Sequence, residues 1–364
     1  MKKFGFLSLG LIGGSIALAI KNIYPDAKII AYARRQETLD SALASGAIDE
    51  GTTVIDAAFS DCDMIFLCAP VAVNNWFLEQ LKPVISAQTI LTDVGSVKGS
   101  IHETVERLGL NTQFIGGHPM AGSEKTGFAN ATARLLENAY YILTPTKEVA
   151  KAAVDAYYSL VSEMGAIPLV LPYTEHDYVT AAVSHVPHLV AAALANLVHD
   201  HDTEACTMKL IAAGGFKDIT RIASSSPDMW ESICLANAGN IADLLDAYIA
   251  SLQDISRAVR AKQTGYTYDL FKASKEYRDS FSDQPRGPIK MVFGCYVDIP
   301  DEAGAIATLA RILADKEISI KNIGIVHNRD FEEGVLQIEF YEQTALHNAI
   351  SLLRELRYTV HERK

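Results

Sequence analysis

Three short segments hold residue types able to do chemistry. The first, Ser8-Leu9-Gly10-Leu11-Ile12-Gly13-Gly14, joins an apolar run to a helix-like stretch. At such a turn Gly10 lets the backbone approach a pyrophosphate and Gly13 lets a helix pack on a strand, while the helix start offers free N–H groups and a positive dipole end. Leu11 and Ile12 complete the expected dinucleotide loop, and Ser8 stands where the fingerprint has its first, turn-making glycine. The second segment, Thr92-Asp93-Val94-Gly95-Ser96-Val97-Lys98, contributes Asp93, placed with the cofactor, and Ser96. The third, Gly116-Gly117-His118-Pro119-Met120-Ala121-Gly122-Ser123-Glu124, contributes His118 and Glu124. With its backbone fixed between Gly117 and Pro119, His118 suits a positioned base near neutral pH. Ser96 and His118 would also suit a nucleophilic serine, but no glycine-flanked nucleophile elbow is present.

Roughly 20 residues past Gly13, where an NAD-type fold sets an acid against the ribose 2′-hydroxyl, stand Ala33-Arg34-Arg35. Without a carboxylate a 2′-phosphate meets no repulsion, and two guanidinium groups can pair with it. NAD(P)+ is the expected cofactor, with NADP+ slightly favoured and NAD+ not excluded.

The elements that must position these residues follow from periodicity. From Lys3 to about Leu171 short apolar runs alternate with amphipathic stretches of helical length, the pattern of a parallel sheet covered by helices on both faces. Strands are predicted at Phe4–Leu9, Lys28–Tyr32, Met64–Cys68, Thr89–Thr92, Gln113–Ile115, Ala139–Leu143 and Ile167–Leu171. Ligands bind off the carboxyl ends of such strands, so Ser96, His118 and Glu124 are expected to face the cofactor's crevice. From Thr174 to about Arg278 only helical spacing recurs, and its alanine-rich stretches call for a subunit interface, hence a homodimer. A Gln284–Pro288 linker precedes a strand–helix–strand–strand–helix–strand series of roughly 75 residues.

The chain has 364 residues, 49% hydrophobic and 21% charged, enough apolar material for two or three cores. Its net charge of −12 argues against nucleic acid as a partner. Five scattered cysteines, with no CxxC pair, fit a reducing compartment. Lys2 and Lys3 before an apolar stretch mimic a secretory signal, yet four glycines interrupt it and no cleavage site follows Ile20. No segment reaches the apolar length of a membrane span, so no membrane partner and a cytoplasmic location are expected.

The glycine loop, DVGSVK (93–98), GGHPMAGSEK (116–125), SHVPH (184–188) and GFKDITRIASSSPDMW (215–230) together resemble, in order and spacing, the prephenate dehydrogenase family. The resemblance covers residues 3 to about 285, and the last module resembles an ACT domain. It implies a Rossmann-like α/β domain (1–172), an all-α substrate and dimerisation domain (173–285) and a small α+β ferredoxin-like ACT domain (289–364). The implied reaction is oxidative decarboxylation of prephenate to 4-hydroxyphenylpyruvate, in tyrosine biosynthesis. By motif position His118 is the base that takes the ring-hydroxyl proton, Ser96 bonds that hydroxyl and orients the histidine, and Glu124 lines the site.

Prephenate carries two carboxylates, so an acidic protein needs a local cationic pocket. His185 and His188, three apart on one helix face, and Lys217 with Arg221 would form it. The resemblance gives Arg221 and His188 to the carboxylates, with His185 nearby and Trp230 shaping the site. Lys217 stands where the family commonly has arginine, keeping charge but losing bidentate geometry. A zinc site at His185 and His188 has no third ligand at suitable spacing, and no metal is expected.

In the last module, Asp298, Gly304 and Asn322 match the ACT pattern that binds an amino acid, implying feedback by L-tyrosine. The rival readings are arogenate dehydrogenase, the same chemistry on an amino-bearing substrate, and a non-enzymatic redox and amino-acid sensor, for which a base beside the nicotinamide has no use.

Overall fold

The structure is a computed structural model that describes residues 2–122, 125–281, 293–300, 302, 304–326 and 334–362. The chain divides into two compact units, Met1–Arg278 and Asp279–Lys364.

The first unit opens with β1 (Lys3–Leu7), α1 (Leu11–Ile23), β2 (Lys28–Tyr32), α2 (Gln36–Ala44), β3 (Glu50–Thr52), β4 (Met64–Leu67), α3 (Val71–Leu81), β5 (Ile90–Asp93) and α4 (Gly99–Leu108). The five strands pair in the order β3-β2-β1-β4-β5, all parallel. Strands such as Met-Ile-Phe-Leu in β4 are buried along their whole length because helices cover both faces. Phe6 stacks on Phe66 in the core at 4.9 Å between ring centroids. The three-residue β3 is absent from the predicted strands; Glu50-Gly51-Thr52 carries no apolar residue to mark it.

The chain continues through β6 (Ile115–Pro119), β7 (Tyr140–Pro145), α5 (Lys151–Glu163) and β8 (Ile167–Val170). These strands form a separate three-stranded sheet in which β6 runs antiparallel to β7 and β7 parallel to β8, which corrects the expectation of a wholly parallel arrangement. Two short 3-10 turns, Phe128–Asn130 and Ala133–Leu136, lie between β6 and β7. With no crossover helix there, the returning strand pairs antiparallel. A parallel bridge between Leu91 and Phe114 sets this sheet beside β5.

The helical part comprises α6 (Tyr173–Thr180), α7 (Val186–His201), α8 (Thr207–Ile211), α9 (Gly214–Thr220), α10 (Pro227–Ala236), α11 (Ala238–Arg260) and α12 (Tyr266–Ser280). A π-helical turn, Ala181–His185, joins α6 to α7. Pro187 follows it, and a proline ring with no N–H cannot keep the regular ladder, so the turn widens. Residues 173–201 therefore form one continuous helix whose length and apolar composition suffice to cross a membrane, contrary to the expectation that no segment does. That helix also carries His176, Asp177, Thr180 and His185 as buried polar side chains, the mark of packing against protein. Leu210, Ile211, Leu235, Tyr268 and Phe271 lie exposed on the helices of the single chain.

The second unit contains β9 (Phe293–Ile299), α13 (Ala305–Ala314), β10 (Ile320–Val326), β11 (Gly334–Phe340), α14 (Gln343–Glu355) and β12 (Val360–Glu362), the element order expected from sequence. Its strands form an antiparallel sheet in the order β10-β11-β9-β12. Val297, Leu309, Leu313, Leu336, Ile338 and Leu353 make a core of its own. The predicted Gln284–Pro288 linker lies outside the described residues.

Candidate active site

The glycine turn follows β1. Ser8 takes φ +77°, the left-handed conformation for which glycine is the ordinary residue, so the tight turn survives the substitution under strain. Its amide donates to the Tyr32 carbonyl at 2.9 Å. Gly10 caps the N-terminus of α1, and a Cβ built on it meets no described atom within 4 Å, which leaves the backbone open to approach. At Gly13 a Cβ would stand 2.9 Å from Cys68 Cβ and 3.0 Å from the Ser8 carbonyl, so helix and strand pack too closely there for any side chain. Leu11 and Ile12 are half-buried at the head of α1, whose first turn has no acidic residue. These features fit a dinucleotide: an open glycine backbone, free helix N–H groups and no local negative charge. Arg34 and Arg35 are exposed just beyond β2.

At the carboxyl end of β5, Asp93 is not open to a ligand as expected. Its carboxylate is fully buried, ion-paired with Lys98, and accepts the amides of Gly95 at 2.9 Å and Gly117 at 3.3 Å. The Lys98 ammonium also donates to the Gly117 carbonyl at 2.7 Å. Burial pulls this ammonium below its ordinary value while Asp93 opposes the shift. The pair thus ties the β5 loop to β6 and fixes where His118 begins.

His118 sits on β6 itself, opposite Ile142 of β7, rather than in the loop beyond the strand. Its Nδ1 lies 2.7 Å from His176 Nε2, and His176 Nδ1 lies 2.8 Å from Asp177 Oδ1. Burial, then His176 and Lys98, holds the His118 imidazole well below its usual 6.5, so the ring is neutral at physiological pH and able to accept a proton. Ser96 is half-buried in the β5–α4 loop, and among the described residues the ring partner of His118 is His176 rather than Ser96. Glu124 lies outside the described residues.

Trp230 of α10 gathers the helical histidines: His188 stacks on it at 3.8 Å between ring centroids and His185 meets it edge-on at 6.0 Å. His188 Nδ1 lies 2.8 Å from the Ser184 carbonyl and His185 Nδ1 3.2 Å from Asn237 Nδ2. Burial pushes His185 down to about 4. His188 and Trp230, with Leu189, Ala192, Ile222 and Pro227, line a cavity of about 180 Å³. Arg221 opens the 3-10 turn after α9 and Lys217 lies on α9, and both residues are exposed in the single chain.

His176, Asp177, Lys98 and Asn237 escape the sequence reading. Lys98 is visible in the motif without a role, because a buried ion pair leaves no spacing signal; the His176-Asp177 pair lies at a domain junction, where periodicity changes and neighbours are not predictable.

Comparison with known proteins identifies the family. The family model for the nucleotide-binding domain of prephenate dehydrogenase matches residues 16–169, and that for its dimerization domain matches residues 172–273. A prephenate dehydrogenase of Bacillus subtilis is 40% identical over 334 residues, 91% of this chain and 90% of that one. One from Lactococcus lactis is 33% identical over 98% of both chains. The crystal structure of prephenate dehydrogenase from A. aeolicus, in complex with hydroxyphenyl propionate and NAD+, superposes with a TM-score of 0.72 at 32% identity, covering 77% of this chain and 98% of that one. The chain therefore belongs to the prephenate dehydrogenase family of oxidoreductases.

Proposed function

We propose that the chain oxidises prephenate to 4-hydroxyphenylpyruvate with loss of carbon dioxide, and that the Rossmann-like, helical and ACT-type divisions at 1–172, 173–285 and 289–364 serve cofactor, substrate and effector. The observation that carries the chemistry is the neutral, buried His118 near the carboxyl end of β6, a strand bridged through Phe114 to Leu91 of β5, whose sheet also holds β1 and the glycine turn that follows it. When bound, NAD(P)+ supplies the hydride acceptor. The loop from Ser8 to Gly13 would hold its pyrophosphate on the start of α1, and Arg34 and Arg35 would take a 2′-phosphate, favouring NADP+.

His118 takes the ring-hydroxyl proton as the carbinol hydrogen leaves with its electron pair. The ring carboxylate then departs as carbon dioxide, its bonding pair passing into the ring, which becomes aromatic, and the oxygen recovers a proton. One base with correct orientation is enough, since aromatisation drives the second bond cleavage. Ser96 would hydrogen-bond the hydroxyl, Glu124 would line the entrance, and His188, Arg221, His185 and Lys217 would meet the two carboxylates, with Trp230 shaping the wall.

The exposed apolar side chains of the helical part support a homodimer. The strand–helix–strand–strand–helix–strand unit supports a ferredoxin-like ACT module in which Asp298, Gly304 and Asn322 bind L-tyrosine as feedback effector. The test is to mix protein with prephenate and NADP+ or NAD+ in parallel and follow reduced nicotinamide by absorbance. A fast rise, faster with NADP+, is expected; silence with prephenate and a rise with arogenate would transfer the activity to the amino-bearing substrate.

A further inference from the structure

We infer that Asp177 and His176 are positioning residues that set the tautomer of His118, so that the base lone pair falls on Nε2. The inference rests on His118 being the base.

The argument starts from donors whose direction is not in question. The backbone amides of Lys98 and Gly99, at the N-terminus of α4, point at Asp177 Oδ1 and Oδ2, each at 2.8 Å. An amide N–H only donates, so both carboxyl oxygens act as acceptors. His176 Nδ1 stands 2.8 Å from the same Oδ1 and must therefore carry the proton of that hydrogen bond. In the neutral form of His176, the premise of this step, the single N–H is spent on Asp177 and Nε2 is a bare lone pair. His118 Nδ1 is 2.7 Å from that lone pair, and two lone pairs do not face each other at this distance. His118 is thus protonated on Nδ1, and its Nε2 is unprotonated. Nε2 has no hydrogen-bond partner among the described residues.

The series is dry. His176 is 0% exposed, Asp177 6% and His118 9%, so no bulk water competes to reverse the hydrogen bonds. It also crosses from one layer to another: His118 is on β6 while His176 and Asp177 are on α6, the first helix of the helical part. A helix that joins the substrate-side domain completes the base on the cofactor-side sheet. Asn237, between α10 and α11, donates to the Asp177 carbonyl at 2.7 Å and holds α6 in place.

In Asp177→Asn one oxygen remains for the α4 amides, but the new –NH₂ can donate to His176 Nδ1 and reverse every bond in the series, putting a proton on His118 Nε2. By comparison with other carboxylate–histidine pairs, kcat should fall about 10²–10⁴-fold. KM for substrate and cofactor should stay within about threefold. His176→Phe fills the same space without either hydrogen bond and should lower kcat by about 10²-fold with KM similarly unchanged. The third reading needs no variant: ¹⁵N NMR of the histidines in the wild-type protein should show His118 protonated on Nδ1. A proton on Nε2 in the wild type, or kcat within about threefold of wild type in both variants, would overturn the inference. His118→Asn separates the two levels. If that variant turns over normally, the base assignment itself fails; if it is inactive while both α6 variants work normally, only the positioning role fails.

Discussion

His118 is held neutral by burial first and by the neighbouring His176 and Lys98 second. A base whose pKa lies below the ordinary 6.5 stays unprotonated to lower pH, so the rate is lost only as pH falls through that depressed value. The acid limb of kcat/KM should accordingly lie below pH 6.5, and a limb at or above that value would contradict the burial argument. Lys98 makes a different prediction. Its ammonium and the Asp93 carboxylate are both buried, so Lys98→Met leaves a carboxylate in the interior without its partner. Such a loss costs about 3–5 kcal/mol, readable as a lowered midpoint in chemical denaturation. A change under about 1 kcal/mol would show that the loop amides of Gly95 and Gly117 suffice.

At the scale of elements, the turn between β1 and α1 is fixed by contacts that leave no room. Gly13→Ala would bring a methyl to 2.9 Å from Cys68 Cβ and 3.0 Å from the Ser8 carbonyl. Overpacking of this kind costs about 1–3 kcal/mol, and because it displaces the start of α1 it should also raise the cofactor KM; an unaltered melting temperature and KM would refute the packing. This turn was legible in the sequence because glycine spacing and flanking periodicity both report backbone requirements. The second unit was legible for the same reason, with strand and helix periods alternating cleanly from Phe293 to Glu362. The pairing direction of β6 with β7 was not, since the connection between them contains residues with no periodic signal and only two 3-10 turns. In sequence His118 reads as a loop residue, because Gly116-Gly117-His118-Pro119 looks like a break when it is a strand lying against β5 and β7. His176 and Asp177 carry no signal in the sequence: what gives them a role is the start of α4, 78 residues back in the chain from Asp177 to Gly99, and sequence holds no marker for that approach.

For the whole molecule, buried histidines set the acid stability. Burial pushes His102 and His185 down to about 4 and His118 well below 6.5. In the unfolded chain all three titrate near 6.5, so below that pH the unfolded state binds more protons than the folded one. The contribution of these three rings to stability is fully present above pH 6.5 and should fall progressively as pH drops toward about 4. Carboxylates held low by their partners, such as Asp49 beside Lys21, act in a separate window below 3.8. Denaturation midpoints measured across the pH range test this, and a flat profile between 4 and 6.5 would contradict it. The same three rings lie in the sheet, in α4 and in the π-turn before α7, so loss of stability in acid should involve the α/β and helical parts together.

The central claim is that His118 is the base of a prephenate oxidation, and the most direct test is the initial rate of nicotinamide reduction in wild-type and His118→Asn protein at saturating prephenate. The account predicts a fast rise in the wild type and a rate lowered at least about 10²-fold in the variant, with prephenate binding retained. Turnover of prephenate by His118→Asn at the wild-type rate would contradict it.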